Sequence, residues 1–179
     1  MKYLRRLIWY VSSRLLALFC VLGVITLVFY FAMNATNIYI ILKDGMAKRA
    51  QVVMMGQDED LTRYFSAAYL ERDAQLSEAK NGQSMYQNYY SITGFDHRMN
   101  LDWVWCWPWE DNARATITER IPGIDGKLKS SARDVLQSDG TPLPATPKWQ
   151  SVQYSVLLSR ENGQWRIRNL TAAKLINDE

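Results

Sequence analysis

"LDWVWCWPWE", Leu101 to Glu110, decides how the rest of the chain is read. Tryptophan stands at 103, 105, 107 and 109, every second position. Positions i, i+2, i+4 and i+6 of a strand share one face. An extended chain therefore lines up four indoles with Leu101 behind them, and turns Val104, Cys106 and Pro108 the other way. Pro108 cannot donate to a ladder, so the strand ends, bulges or forms a sheet edge there. Three placements are open: the core of a small domain, a ligand or partner platform, and an edge that touches a membrane. Core burial suits Trp103 and Trp105, because each ring buries about 150–250 Å². Trp107 and Trp109, near the strand end, suit a pocket mouth or a partner's hot spot.

The alternation extends on both sides. "YYSITGFDHRMNLDWVW" reads as a long strand with a break at Gly94, and "ARATITERI" after the "EDN" turn completes a hairpin. Asp125-Gly126 reads as a further turn, and 126–147, with three prolines, as a long loop. "VQYSVLLSR", the tight turn "ENGQ" and "WRIRNL" form a second hairpin with Trp165, Ile167 and Asn169 on one face.

Upstream the period is helical. "DEDLTRYFSAAYLERD" begins with acids, which suit a helix N-terminus, and predicts an amphipathic helix over about 59–71. Residues 74–83 read as loop or irregular helix. Before them, Ile38, Ile41, Leu42, Met46, Arg49 and Val53 share one side of a stalk helix, with Arg49 its one polar member. Thr36 or Asn37 is a candidate N-cap, and Gly56 a C-terminal stop.

Residues 15–33, "LLALFCVLGVITLVFYFAM", carry no charge across nineteen positions. At about 1.5 Å per residue they reach roughly 28 Å, close to the hydrocarbon thickness of a bilayer. The run exceeds the 7–15 apolar residues of a signal peptide, and "FAMNAT" is a poor cleavage site, so it reads as a retained anchor contacting membrane lipid. Lys2, Arg5, Arg6 and Arg14 precede it without an acid, which places the N-terminus in the cytoplasm and the remainder outside. Those four of the 21 Lys and Arg give the tail +4 and leave 17 basic residues against all 18 Asp and Glu, so the net +3 arises from the tail. The remainder is near neutral, which argues against nucleic acid as a partner.

The resulting layout is a basic tail (1–14), a transmembrane helix (15–33), a stalk helix (34–57), an extracytoplasmic cone-shaped domain (58–171) and a short tail (172–179). The fold class is α+β: an N-terminal transmembrane helix, then two helices packed on a curved antiparallel sheet of about four strands.

Catalytic signatures are missing. There is no nucleophile elbow, phosphate loop or Cys/His set with metal-ligand spacing, so no cofactor, metal site or enzymatic activity is expected. His97 is the one histidine, and Asp96 beside it points to the opposite face of a strand. Asp73, Asp96 and Asp102 meet only if the fold happens to join them. The candidate ligand- or partner-binding residues are Trp107, Trp109, Tyr89, Tyr90, Asp96 and His97, ringing an aromatic pocket.

Three stretches, "LTRYFSAAYLERD", "YYSITGFDHRMNLDWVW" and "VQYSVLLSRENGQWRIRNL", together resemble the nuclear-transport-factor-two-like (cystatin-like) fold: its covering helix, its long bent strand and its terminal hairpin. On a single membrane helix, such a domain is similar to assembly components of type IV secretion and conjugation machines and of sporulation channels. The resemblance implies a structural role, with self-association or protein partners in a bacterial envelope complex. The alternative is a membrane-tethered cone that binds a small ligand.

Overall fold

The computed structural model describes residues 2–132 and 146–176. Among the described residues, four helices precede four strands: α1 (Lys2–Met55), α2 (Ala67–Arg72), α3 (Ala74–Lys80), α4 (Met85–Tyr89), β1 (Tyr90–Cys106), β2 (Asn112–Leu128), β3 (Val152–Glu161) and β4 (Gln164–Leu175). The strands form an antiparallel meander in the order β1-β2-β3-β4, and the sheet is not closed. The α+β class expected from the change of period is the class observed.

α1 is 54 residues long and has an apolar stretch long enough to cross a membrane, with none of that window buried by protein. By length and composition it is a candidate membrane-spanning helix, which suggests a membrane anchor. The expected boundary between anchor and stalk does not exist. Thr36 caps nothing; its hydroxyl donates to the Ala32 carbonyl at 2.9 Å, one turn back along the same helix. Neither Gly nor Pro occurs between Gly23 and Gly45 to interrupt the ladder. The helix stops at Gly56, whose positive φ of 67° lets its N–H reach the Val52 carbonyl at 3.0 Å.

Past Phe31 one stripe of α1 turns inward. Ile38, Leu42, Met46 and Val53 are buried, as their spacing predicts. They meet Phe65, Leu76, Ile117, Val156, Leu158 and Ile167 in one core. Burying each such side chain contributes about 1.5–3 kcal/mol. Gly45 allows the closest approach: a Cβ there would stand 3.0 Å from the Cβ of Tyr64.

The helix expected over 59–71 forms only from Ala67 to Arg72. Leu61, Tyr64 and Phe65 are buried as their spacing requires, but β4 takes the backbone groups that a helix would use. Ile167 N–H donates to the Tyr64 carbonyl at 2.8 Å, and Ser66 N–H donates to the Ile167 carbonyl at 2.9 Å. The acids at 58–60 therefore precede a turn instead of a helix. Residues 74–80 form α3, capped by the Asp73 carboxylate, which accepts from the N–H groups of Gln75 and Leu76.

Asp125-Gly126 is no turn. Both residues lie in β2, opposite Gly94 and Ile92. β1 and β2 thus extend beyond β3, and this arm packs on the far end of α1, where Ala50, Met54 and Ile121 form a second apolar cluster. Pro122 sits past the last β2–β3 pair, so its missing N–H leaves no gap in that ladder. The expected loop 126–147 begins as strand, and its residues 133–145 lie outside the described residues. The "ENGQ" turn is as expected, with Asn162 and Gly163 both at positive φ (51° and 80°), the requirement of a two-residue hairpin loop.

Candidate functional site

The tryptophans do not join the core. Trp103 is 50% exposed, Trp105 48% and Trp109 69%, while Cys106 between them is fully buried. The cause is a register shift. Leu101 pairs with Ile117 and Trp103 with Thr116, which leaves Asp102 without an opposite residue. A bulged residue inverts the alternation beyond it. Before it, Met99 and Leu101 face inward; after it, Val104 and Cys106 do. Leu101 and Trp103 thus stand on opposite faces despite their two-residue spacing. A shift at Leu157/Leu158 acts likewise in β4: Leu170, instead of Asn169, joins the apolar core after Ile167.

β1 runs antiparallel to the outer half of α1, so its last residues return toward the membrane segment. The Cys106 thiol lies 3.9 Å from the Phe31 carbonyl. Beyond it the rings form a chain. Trp105 tilts against Phe31 with centroids 6.1 Å apart. Trp107 stacks on Trp105 at 5.7 Å, and Trp109 stands edge-on to Trp107 at 4.9 Å. Such offset and edge geometries suit the aromatic quadrupole. The second hairpin reaches the same level: Arg160 donates to the Asn34 side-chain carbonyl at 2.9 Å, and its guanidinium covers the Trp165 ring at 4.6 Å.

The other candidate residues are elsewhere. Tyr89 ends α4 and Tyr90 is buried at the start of β1. Gln87, beside them, bonds the Val52 and Val53 carbonyls near the end of α1, whereas Cys106 lies against Phe31, a separation of roughly 30 Å along the helix at about 1.5 Å per residue, so the four aromatics ring no common pocket. Asp96 faces outward and pairs with Arg98 at 2.6 Å. His97 faces inward, its Nε2 lying 3.1 Å from Oε1 of the fully buried Glu119. Trp149 Nε1 donates to the other Glu119 oxygen at 3.4 Å. Burial and the Glu119 charge push the Tyr154 hydroxyl up to about 12.

The three aspartates also separate. Asp102 accepts on the outer face from Thr118 and Gln153. Asp73 is buried and holds Arg49, the polar member of the α1 stripe: Nε donates to Oδ2 at 2.6 Å and Nη2 to Oδ1 at 3.2 Å. The Tyr69 hydroxyl adds a bond to Oδ2 at 2.7 Å. Burial alone would raise the Asp73 carboxyl, but Arg49 and Tyr69 outweigh it and hold the group below the ordinary carboxylate range.

Among the described residues, the side chains packed under the sheet, Phe65, Ile117, Leu158 and Glu119 among them, have almost no accessible surface. A cleft of about 640 Å³ opens instead beyond the end of α1, lined by Asp58, Glu59, Asp60 and Lys80 among others. Among the described residues, no group of three His, Cys, Asp or Glu is placed to hold a metal. Sequence reasoning missed Phe31, Asn34, Arg160 and Glu119; only the lone polar Arg49 on an apolar stripe carried a local signal. No family model, curated protein or solved structure matches the chain.

Proposed function

We propose that this chain is a single-pass membrane protein whose extracytoplasmic domain is an assembly and protein-docking module of a bacterial envelope complex, of the secretion, conjugation or sporulation type. In this reading the basic residues before the apolar run hold the N-terminus in the cytoplasm. The domain is of the nuclear-transport-factor-two-like kind, and its partners are proteins, including further copies of itself.

The observation that carries the reading is the unbroken α1. One helix supplies both the membrane segment and a wall of the domain's core. Nothing hinges between them, so the sheet is held at a set height and angle over the bilayer. Such a mount suits a part that must present surfaces in register with its neighbours. The filled interior supports the same reading, because a ligand-binding cone needs room for its ligand. The sheet is not closed: β1 forms one edge, and β4 forms the other, where Ile167 already pairs with the Tyr64–Ser66 segment and the rest of the strand offers backbone groups for pairing.

Crosslinking in native membranes, followed by identification of what is captured, tests the proposal. Crosslinks from the sheet to a second copy or to other envelope proteins are expected. A chain that stays monomeric and captures no protein would remove the basis for a docking role.

A further inference from the structure

Phe31 belongs to the apolar run, two residues before its end at Met33. The ring chain of Trp105, Trp107 and Trp109 starts on that residue. We propose that these three tryptophans seat in the headgroup–acyl boundary of the same bilayer that α1 crosses, giving the domain a second contact whose partner is the lipid surface. The inference rests on α1 crossing a bilayer and is independent of the docking role.

Height, chemistry and rigidity support it. At about 1.5 Å per residue, Phe31 lies roughly 3 Å below the end of the apolar run, and the interfacial layer on each side of a bilayer is several Å thick. A ring 6.1 Å from Phe31 is therefore at the boundary. Indole has an apolar body and one N–H, the combination that concentrates tryptophan at membrane interfaces. The turn that carries Trp109 ends in exposed Glu110 and Asp111, which stay hydrated among headgroups. The position is also held. Arg160 ties the second hairpin to Asn34 of α1, and its backbone N–H donates to the Asp111 carbonyl at 2.7 Å, joining both hairpin ends. The strand end cannot lift away without breaking these bonds.

The test uses the full chain with Cys20→Ala; Cys106 is buried, so this parent should take up no thiol label. Single cysteines replace Leu22 in the apolar run, Trp109 at the strand end and exposed Gln83 at the far end of the domain. Each carries a nitroxide in phosphatidylcholine–phosphatidylglycerol vesicles, and its collisions with oxygen and with a water-soluble nickel chelate are compared. Leu22→Cys should favour oxygen and Gln83→Cys nickel. Trp109→Cys should fall between them, with nickel access reduced several-fold relative to Gln83→Cys. In a separate Trp9→Phe chain, lipid brominated near the top of the acyl chains should quench a large share of the remaining tryptophan emission.

If Trp109→Cys behaves like Gln83→Cys while Leu22→Cys is lipid-bound, the anchor stands and the second contact is refuted. If Trp109→Cys is shielded from both reagents, protein covers the strand end and the proposal is equally overturned. Aqueous behaviour at all three sites would overturn the anchor along with it.

Discussion

Arg49 and Asp73 form a bidentate pair in which both side chains are nearly inaccessible to solvent, 7% and 4% exposed. Arg49 is near the end of α1, and Asp73 is the cap of α3. The pair ties α1 to the covering helices, and each partner neutralises a charge that would otherwise be buried alone.

Arg49→Met should therefore destabilise the domain by about 3–5 kcal/mol, because it strands the Asp73 carboxylate. Thermal unfolding of the full chain in detergent, followed by tryptophan emission, measures this. The double variant Arg49→Met/Asp73→Leu should recover only part of the loss, because Asp73 also caps α3 and accepts the Tyr69 hydroxyl. If both variants unfold at the wild-type temperature, the pair is not buried as described.

The same pair sets an acid limit. Asp73 titrates below its unfolded value of about 3.9. A carboxyl depressed in the folded state stabilises the fold at pH values above its unfolded pKa. That contribution shrinks as pH falls from about 4 through the lowered folded value. Asp73→Asn should flatten the pH dependence of the melting temperature below about pH 4 and leave its slope at pH 6–8 unchanged.

The bulge at Asp102 makes a prediction opposite to the bare alternation. Trp103→Ser should change stability by no more than about 0.5 kcal/mol, as at most surface sites. Ile117→Ala, in the core opposite Leu101, should cost about 2–5 kcal/mol. Denaturant midpoints at constant slope distinguish them. A large loss from Trp103→Ser would put that indole back in the core.

Gly45 and Gly23 lie in one helix in different surroundings. A Cβ at Gly45 meets Tyr64 at 3.0 Å and Ile167 at 3.4 Å, whereas one at Gly23 meets nothing within 4 Å. Gly45→Leu should cost about 1–3 kcal/mol by overpacking. Gly23→Leu should leave the unfolding of the domain unchanged. Equal effects would mean that α1 does not pack against the Tyr64 turn.

Features that depend on local spacing were legible in the sequence. The inward stripe of α1, the stop at Gly56, the Asn162-Gly163 turn and the switch to alternating strands all follow from side-chain period and from residues that tolerate positive φ. What escaped depends on distant partners. No local residue announces the bulge at Asp102, because the pairing of β1 with β2 creates it. Leu61, Tyr64 and Phe65 have helical spacing, yet Ile167, a hundred positions on, takes the Tyr64 carbonyl and the Ser66 N–H on either side of Phe65. Thr36 and Asn37 look like caps, and only the unbroken ladder through them shows that they are not. The candidate site divided for the same reason. Tyr89, Tyr90, Trp107 and Trp109 belong to one strand and its flanks, but they occupy opposite ends of it.

The continuity of α1 is tested most directly by one distance. Nitroxides at Leu18→Cys and Ile40→Cys, both exposed positions on α1, bracket the expected break near Thr36, in a chain with Cys20→Ala. In a straight helix their α-carbons stand roughly 33 Å apart at about 1.5 Å per residue. Pulsed electron–electron resonance on the full chain in vesicles should give one narrow distribution about that value. A broad distribution, or a markedly shorter distance, would mean a hinge between membrane segment and domain and would contradict the rigid mount.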